Sequence, residues 1–272
     1  METILDDIRF FGQGTLLPPR NAYYKNGYQF IFVKSGRVTV KVDNTLCELQ
    51  APSVFLINPF ERVNWIASSE DYTRFVIVFN KMSTDEQAPT EVLAMLRYRP
   101  SALSNKFVLD ESNARSFNHV CEILIQERTT TSEFSDLVIQ NLAPLLLVIL
   151  YRLYPLKNIA EIKRISQIQT YMEENSNKDI DIIDIADHFL VSPSYINQLF
   201  KKTVGVTPKY YLSCIRLYNA QSLLEFSDDS IKDICFACGY NDENNFIRQF
   251  RQRFLITPLQ FRIDQQKKNR RK

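Results

Sequence analysis

Between residues 28 and 79 the apolar and aromatic residues gather into short runs separated by turn signals. Segments 28–33, 37–42, 54–57 and 74–79 are rich in β-branched and aromatic side chains. Ser35-Gly36, Asp43-Asn44, Ala51-Pro52 and Asn58-Pro59 punctuate them, so the pattern predicts β-strands. Beyond residue 110 the spacing changes. Val120, Ile123 and Leu124, then Leu137, Val138, Leu142, Leu145, Leu146, Ile149, Leu150 and Leu153, recur at helical intervals and predict helices over 112–128 and 133–154. Pro144 is expected to kink the second of these. The apolar surface of this pair exceeds what one sheet face needs. The spacing therefore leaves apolar positions, Leu146 and Leu150 among them, expected to face outward; packing back onto the strands is the alternative. Residues 155–160 read as a short linker.

From 181 to 262 one pattern is written twice. Ser192-Pro193-Ser194-Tyr195-Ile196 opens a segment that ends in Gly205-Val206-Thr207-Pro208; fifty positions on, Asp242-Glu243-Asn244-Asn245-Phe246 opens one that ends in Leu255-Ile256-Thr257-Pro258. A short apolar helix is predicted before each copy, over 182–189 and 231–238, and Ile185 matches Ile234 at an offset of 49. Repeats of this period mark duplicated supersecondary units. Ser192 and Asp242 are helix caps, because a side-chain oxygen there can accept from an otherwise unpaired backbone N–H. Pro193, Pro208 and Pro258 stand where a missing N–H costs nothing. Ser230 to Asp233 resembles a capping box with Asp in place of Glu or Gln.

The predicted helices are two-faced. Ile196, Leu199, Phe200 and Thr203/Val204 line one side of the first; Phe246, Phe250 and Phe254 line the second. Ser194, Asn197, Gln198 and Lys201 fall opposite in the first copy, and Asn244, Ile247, Arg248 and Arg251 in the second. A solvated polar face is the ordinary meaning of such a stripe. Two capped copies, each behind a helix and a turn, favour DNA instead. Asn and Gln can pair with both edge atoms of adenine, and Arg with those of guanine. Helix 208–226, about 28 Å long at 1.5 Å per residue, can hold the two outward helices one DNA turn apart.

Residues 160–265 resemble the DNA-binding domain of the AraC/XylS family of transcription regulators. The carriers are Ile185-Ala186, Ser192 to Tyr195, Phe200-Lys201-Lys202, Gly205, Arg216, Ala220, Leu223-Leu224, Ile231, Gly239-Tyr240, Asp242, Phe246, Phe250 and Thr257-Pro258-x-x-Phe261-Arg262. Leu255 departs from the family's usual Gly, so the second outward helix is expected to end without a left-handed glycine cap. The strand order and Ile57-Asn58-Pro59 resemble the cupin-like sensor found at the N-terminus of many members. The resemblance implies an α+β chain: a cupin-like β-barrel with two flanking helices over 1–155, then an all-α domain of two helix-turn-helix units joined by a long helix over 161–265, and a basic tail over 266–272. It implies a cytoplasmic homodimeric regulator that binds double-stranded DNA, recruits RNA polymerase as an activator, and answers to a small-molecule effector. A regulator whose barrel only dimerises, and a cupin enzyme with an accessory domain, are the rivals. The DNA-contacting residues would be Ser194, Asn197, Gln198, Lys201, Glu243, Asn244, Asn245, Arg248 and Arg251. The effector would meet Tyr23, Trp65 and Arg74.

Composition narrows this. The 33 basic and 31 acidic residues leave a net charge of +2, but 15 basic against 17 acidic residues in 1–155 give −2, leaving +4 for the rest. Bulk electrostatics alone therefore would not carry DNA binding. The positions matching cupin metal histidines hold Tyr23, Lys25, Val63 and Asn64, and the chain has just two histidines, His119 and His188. A three-histidine site cannot be built, which argues against an enzyme and against a metal or other cofactor. Five scattered cysteines argue against a disulfide framework, and Cys235-Phe236-Ala237-Cys238 reads as buried small residues. The acidic start resembles no signal peptide, and the uncharged run 137–151 looks too short and too polar to span a membrane.

Overall fold

The computed structural model describes residues 5–12, 27–42, 45–58, 61, 63–80, 92, 95–96, 106–130, 132–154 and 159–269. The chain divides into two compact units, residues 1–163 and 164–272. The first is rich in strands and the second is helical.

In the first unit, strands β1 (Leu5–Phe11), β2 (Gly27–Ser35), β5 (Ser53–Ile57), β7 (Thr73–Asn80) and β8 (Lys106–Val108) form an antiparallel sheet in the order β1-β7-β2-β5-β8. Strands β3 (Arg37–Val42), β4 (Thr45–Gln50) and β6 (Val63–Ser68) form a second, in the order β4-β3-β6. All four predicted strands are present; β1, β4, β6 and β8 join them. The large sheet is covered on both faces. One core lies between the sheets, with Ile31, Val33, Val38, Val40, Leu49, Phe55, Ile57 and Tyr72 buried in it. The other holds Phe30, Phe32, Val54, Leu56, Phe75, Ile77 and Phe79 against helices α1 (Glu111–Thr130) and α2 (Ser135–Leu153). Burial on both sides is why β2 and β5 are apolar almost without interruption, whereas β3, with one face open, alternates.

Three of the places where the chain passes from one sheet to the other, at Gly36, at Ala51-Pro52 and across 69–72, are tied together. Ala51 N donates to the Gly36 carbonyl at 2.9 Å, and Ser69 N donates to that of Arg37 at 3.0 Å. Ser35 Oγ donates to the Asp71 carbonyl at 2.5 Å. Gly36 has φ +70, and a Cβ there would lie 2.6 Å from Ser69 Oγ and 2.7 Å from Tyr72 Cα. Both the left-handed backbone and the close approach require glycine.

Helix α2 differs from expectation in which face it buries. Leu146 and Leu150 are fully buried with Ile139, Ala143 and Leu147, while Phe134, Leu137, Leu145 and Leu153 are exposed. The outward stripe is thus shifted round the helix by the needs of the α1–sheet core. The length argument against a membrane span does not hold either, because α2 runs 19 residues through Pro144 with a mean hydropathy of 1.5. Its identity as a core helix rests on the face packed against α1 and the sheet.

The helical unit opens within α3 (Ile159–Glu174), a helix that begins inside the segment read as linker. Then come α4 (Ile182–His188), α5 (Pro193–Thr203), α6 (Pro208–Phe226), α7 (Ile231–Ala237), α8 (Glu243–Phe254) and α9 (Pro258–Asn269). Helix α9 takes in the first part of the basic tail; residues 270–272 lie outside the described residues.

Gly36→Ala should destabilise the strand-rich unit by roughly 1–3 kcal/mol, the strain of a misfit left-handed residue. Thermal unfolding of the full chain checks this, and an unchanged melting midpoint would refute it.

Candidate nucleic-acid interface

Each helix start is fixed by its own side chain. Ser192 Oγ accepts from Tyr195 N at 3.1 Å. Asp242 accepts from Asn244 N at 3.0 Å and Asn245 N at 3.2 Å. Thr207 and Thr257 each accept from the backbone N–H three residues on, at 3.2 Å. The reciprocal capping box is found at Asp181 and Asp184, where Asp181 N donates back to Asp184 Oδ2 at 2.8 Å. At Ser230 the box is incomplete: Asp233 Oδ2 accepts from the Ser230 hydroxyl at 2.6 Å, so the serine cap and its partner bind each other.

Helices α5 and α8 turn the expected faces inward. Ile196, Leu199, Phe200 and Thr203 are buried in α5, and Phe246, Phe250 and Phe254 in α8. Ser194, Gln198 and Lys201 are exposed; Asn197 is half-buried and its Nδ2 donates to the Pro193 carbonyl at 3.1 Å. Asn244, Arg248 and Arg251 are exposed, while Glu243 and Asn245 are half-buried. Asn245 Oδ1 accepts from Arg248 Nη2 at 2.9 Å and from Gln249 Nε2 at 3.0 Å. The structure thus brings Asn244, Arg248 and Arg251 to one open face and turns Asn245 partly inward as a hydrogen-bonding neighbour of Arg248. The stripe pattern does not single out Gln249 or Arg253. The repeat itself carries a signal for Gln249, which stands where the first copy has Leu199.

Helix α6 joins the two copies and is buried on several sides, at Tyr211, Leu212, Cys214, Ile215, Leu217, Tyr218, Ala220 and Leu224. Its polar groups anchor neighbours. Arg216 donates to the Ser176 and Lys178 carbonyls at 2.8 and 2.7 Å, and the Tyr211 hydroxyl donates to Glu173 at 2.8 Å. Arg253, 2% exposed, donates to the Tyr218 hydroxyl at 2.6 Å, so a guanidinium fastens the last turn of α8 to α6.

Four positions in the two copies adopt left-handed backbone. Leu190 (φ 54) and Gly239 (φ 80) close the turns before α5 and α8; Gly205 (φ 80) and Leu255 (φ 64) close those helices. Each copy has one glycine and one leucine in exchanged places. The left-handed cap of α8 therefore forms without glycine: Leu255 N donates to the Arg251 carbonyl at 2.9 Å.

In the first unit, Arg74 of β7 is fully buried, with its guanidinium carbon 5.1 Å from the ring centres of both Trp65 and Tyr72. Trp65 is half-buried and packs against the core between the sheets. The structure therefore brings Trp65 and Arg74 together. Tyr23 lies outside the described residues, as does Lys25. All five cysteines are buried and outside any disulfide, and burial pushes the Cys238 thiol up to about 12, with Cys235 also raised. Among the described residues no group of three or more His, Cys, Asp or Glu side chains gathers to hold a metal.

Residues 185–263 match the family model described as a helix-turn-helix domain. The HTH-type transcriptional activator RhaS of Citrobacter koseri is 34% identical over 99 residues, and its counterpart in Enterobacter sp. 32%; each match covers 36% of this chain and 36% of the relative. The chain thus spans little more than a third of the length of these relatives. Crystalline ToxT from Vibrio cholerae has a similar fold over both units, with a TM-score of 0.56 and 14% identity, covering 97% of this chain and 95% of that one. The duplicated helix-turn-helix region is thus similar to a helix-turn-helix domain family and to the matching third of the RhaS activators.

Leucine at position 190 is 92% exposed as well as left-handed, so its side chain returns little for the backbone strain. Leu190→Asn should raise stability by roughly 1 kcal/mol, because Asn visits this conformation readily. A melting midpoint below that of the unaltered chain would contradict this.

Proposed function

We propose that this protein is a cytoplasmic DNA-binding transcription regulator, an activator that recruits RNA polymerase and is controlled through its strand-rich unit. The observation that carries the reading is the pair of capped helices α5 and α8. Both bury an apolar face and leave Ser194, Gln198, Lys201 and Asn244, Arg248, Arg251 open to solvent. Glu243, Asn245 and Asn197 border that surface. The similarity to activators named RhaS supports the direction of regulation. Asn197, Gln198 and Arg248 read base edges in this proposal, and Arg251 and Lys201 attract phosphate.

The strand-rich unit, in our reading, is a cupin-like sensor. The buried cation of Arg74 beside Trp65 and Tyr72 suits a polar or anionic effector held between the sheets, with Tyr23 as a further contact. The unit also pairs two chains through the exposed apolar ridge of α2, Phe134, Leu137, Leu145 and Leu153.

Alanine at Asn197, Gln198 or Arg248 should lose about 1–3 kcal/mol on the selected DNA sequence and little on random duplex. Titration of both duplexes at one salt concentration checks this; equal losses on both would mean phosphate contact alone. Leu137→Glu with Leu145→Glu should convert a dimer to a folded monomer in sedimentation. A chain that is monomeric before substitution, or dimeric after it, would remove α2 from the assembly.

A further inference from the structure

Gln249 occupies a position that the first helix-turn-helix copy fills with the buried Leu199. A polar side chain on an inward stripe costs stability unless its groups are satisfied. Here they are. Ser213 Oγ of α6 donates to Gln249 Oε1 at 2.5 Å, and the Tyr240 hydroxyl reaches the same oxygen at 3.5 Å. Gln249 Nε2 then donates to Asn245 Oδ1 at 3.0 Å, and that oxygen also accepts from Arg248 Nη2 at 2.9 Å.

The polarity runs one way along this chain. Ser213 and Tyr240 turn the Gln249 carbonyl inward, which leaves its amide N–H to face Asn245. That N–H presents the Asn245 carbonyl oxygen to the guanidinium. The first copy cannot build the same relay, because Tyr195 and the apolar Leu199 hold the matching places.

We propose that Gln249, with Ser213 behind it and Asn245 in front, is a positioning residue that sets the direction of Arg248 before DNA arrives. The inference rests on the reading of α8 as a DNA-contacting helix. A free arginine samples many rotamers, and only those aimed along the groove allow a bidentate approach to guanine. Fixing one nitrogen on Asn245 lowers the ordering cost of binding and leaves the remaining donors for the base. Asn245 thereby acts through Arg248.

The test selects binding sites from a random-sequence duplex pool with the unaltered protein, the single variants Arg248→Ala, Gln249→Leu and Gln249→Glu, and each Gln249 change combined with Arg248→Ala. Gln249→Leu restores the residue of the first copy. Gln249→Glu keeps the acceptor for Ser213 and removes the donor to Asn245. Arg248→Ala should erase the preference at one base step. Both Gln249 variants should weaken preference at that same step by about five- to tenfold, the worth of one neutral hydrogen bond. The other steps should keep their preference; Gln249→Leu leaves the Ser213 hydroxyl without its partner, so it should melt below the unaltered protein yet stay folded at the temperature of the selection. Neither Gln249 change should add anything in the Arg248→Ala background. If Arg248→Ala loses its step while the Gln249 variants keep it, the relay is wrong and the α8 reading stands. If Arg248→Ala leaves the selected sequence unchanged, that reading fails and the relay with it. Equal weakening at every step, or weakening that persists without Arg248, would reduce Gln249 to a packing residue.

Discussion

The helical unit depends on the burial of α6. A helix that serves two copies must present apolar surface to both, so it cannot keep a broad solvated face. Several of its polar side chains are placed where they find a partner: Tyr211 on Glu173, Ser213 on Gln249, Arg216 on the carbonyls of Ser176 and Lys178, and Tyr218 under Arg253. Each such bond adds only about 1 kcal/mol net. Losing one partner costs more, because the other group is then left dry and unpaired. Apolar contact holds α6 in place, and these polar ties fix its rotation, which sets where α5 and α8 present their open faces.

Duplication explains both what the two copies share and where they part. Caps, prolines and inward aromatics recur because the same helix–turn–helix geometry must be built twice. The differences sit where geometry is strained or where function has a reason to differ. Leucine replaces glycine once in each copy, at a position where the backbone is left-handed in either case. The surrounding turn imposes that conformation, since Leu190 and Leu255 adopt it without the freedom of glycine. Gln249 for Leu199 is the other kind of difference, a polar group admitted to an apolar stripe with its bonds made.

Much of this is legible in the chain itself, for reasons that are local. A cap followed by proline acts within four residues, so the starts of α5, α6 and α9 can be read from sequence, and α6 runs Pro208–Phe226 as its spacing predicts. Central strands such as β2 and β5 are apolar on both faces and stand out. Strands β4 and β6 do not, because their outward positions carry Glu48, Gln50, Asn64 and Ser68 and only the partner strand makes them strands. The buried face of α2 is hidden for a related reason. Leu145, Leu146, Ile149, Leu150 and Leu153 are similarly apolar, and the choice among them is made by α1 and the sheet, which spacing alone does not describe. The proposed DNA contacts come from one helical stripe per copy. Arg253 lies off that stripe, and a charged residue in a core is recognised only once Tyr218 is seen beside it.

The small net charge gives the polar relay its weight. If the chain binds DNA as proposed, a net charge of +2, with −2 assigned to residues 1–155, offers little bulk attraction, and short-range contacts would supply the discrimination. Such contacts are worth most when their donors are already aimed, because the entropy of ordering a long side chain is then lost during folding instead of during binding. Behind Gln198 and Lys201 of α5 stands the apolar Leu199, which can pass on no hydrogen bond, whereas α8 offers an arginine tethered through two amides to α6. The two copies would then read DNA in different ways: α5 by adaptable side chains that settle on contact, α8 by one cation whose direction is inherited from the same helix that spaces the pair.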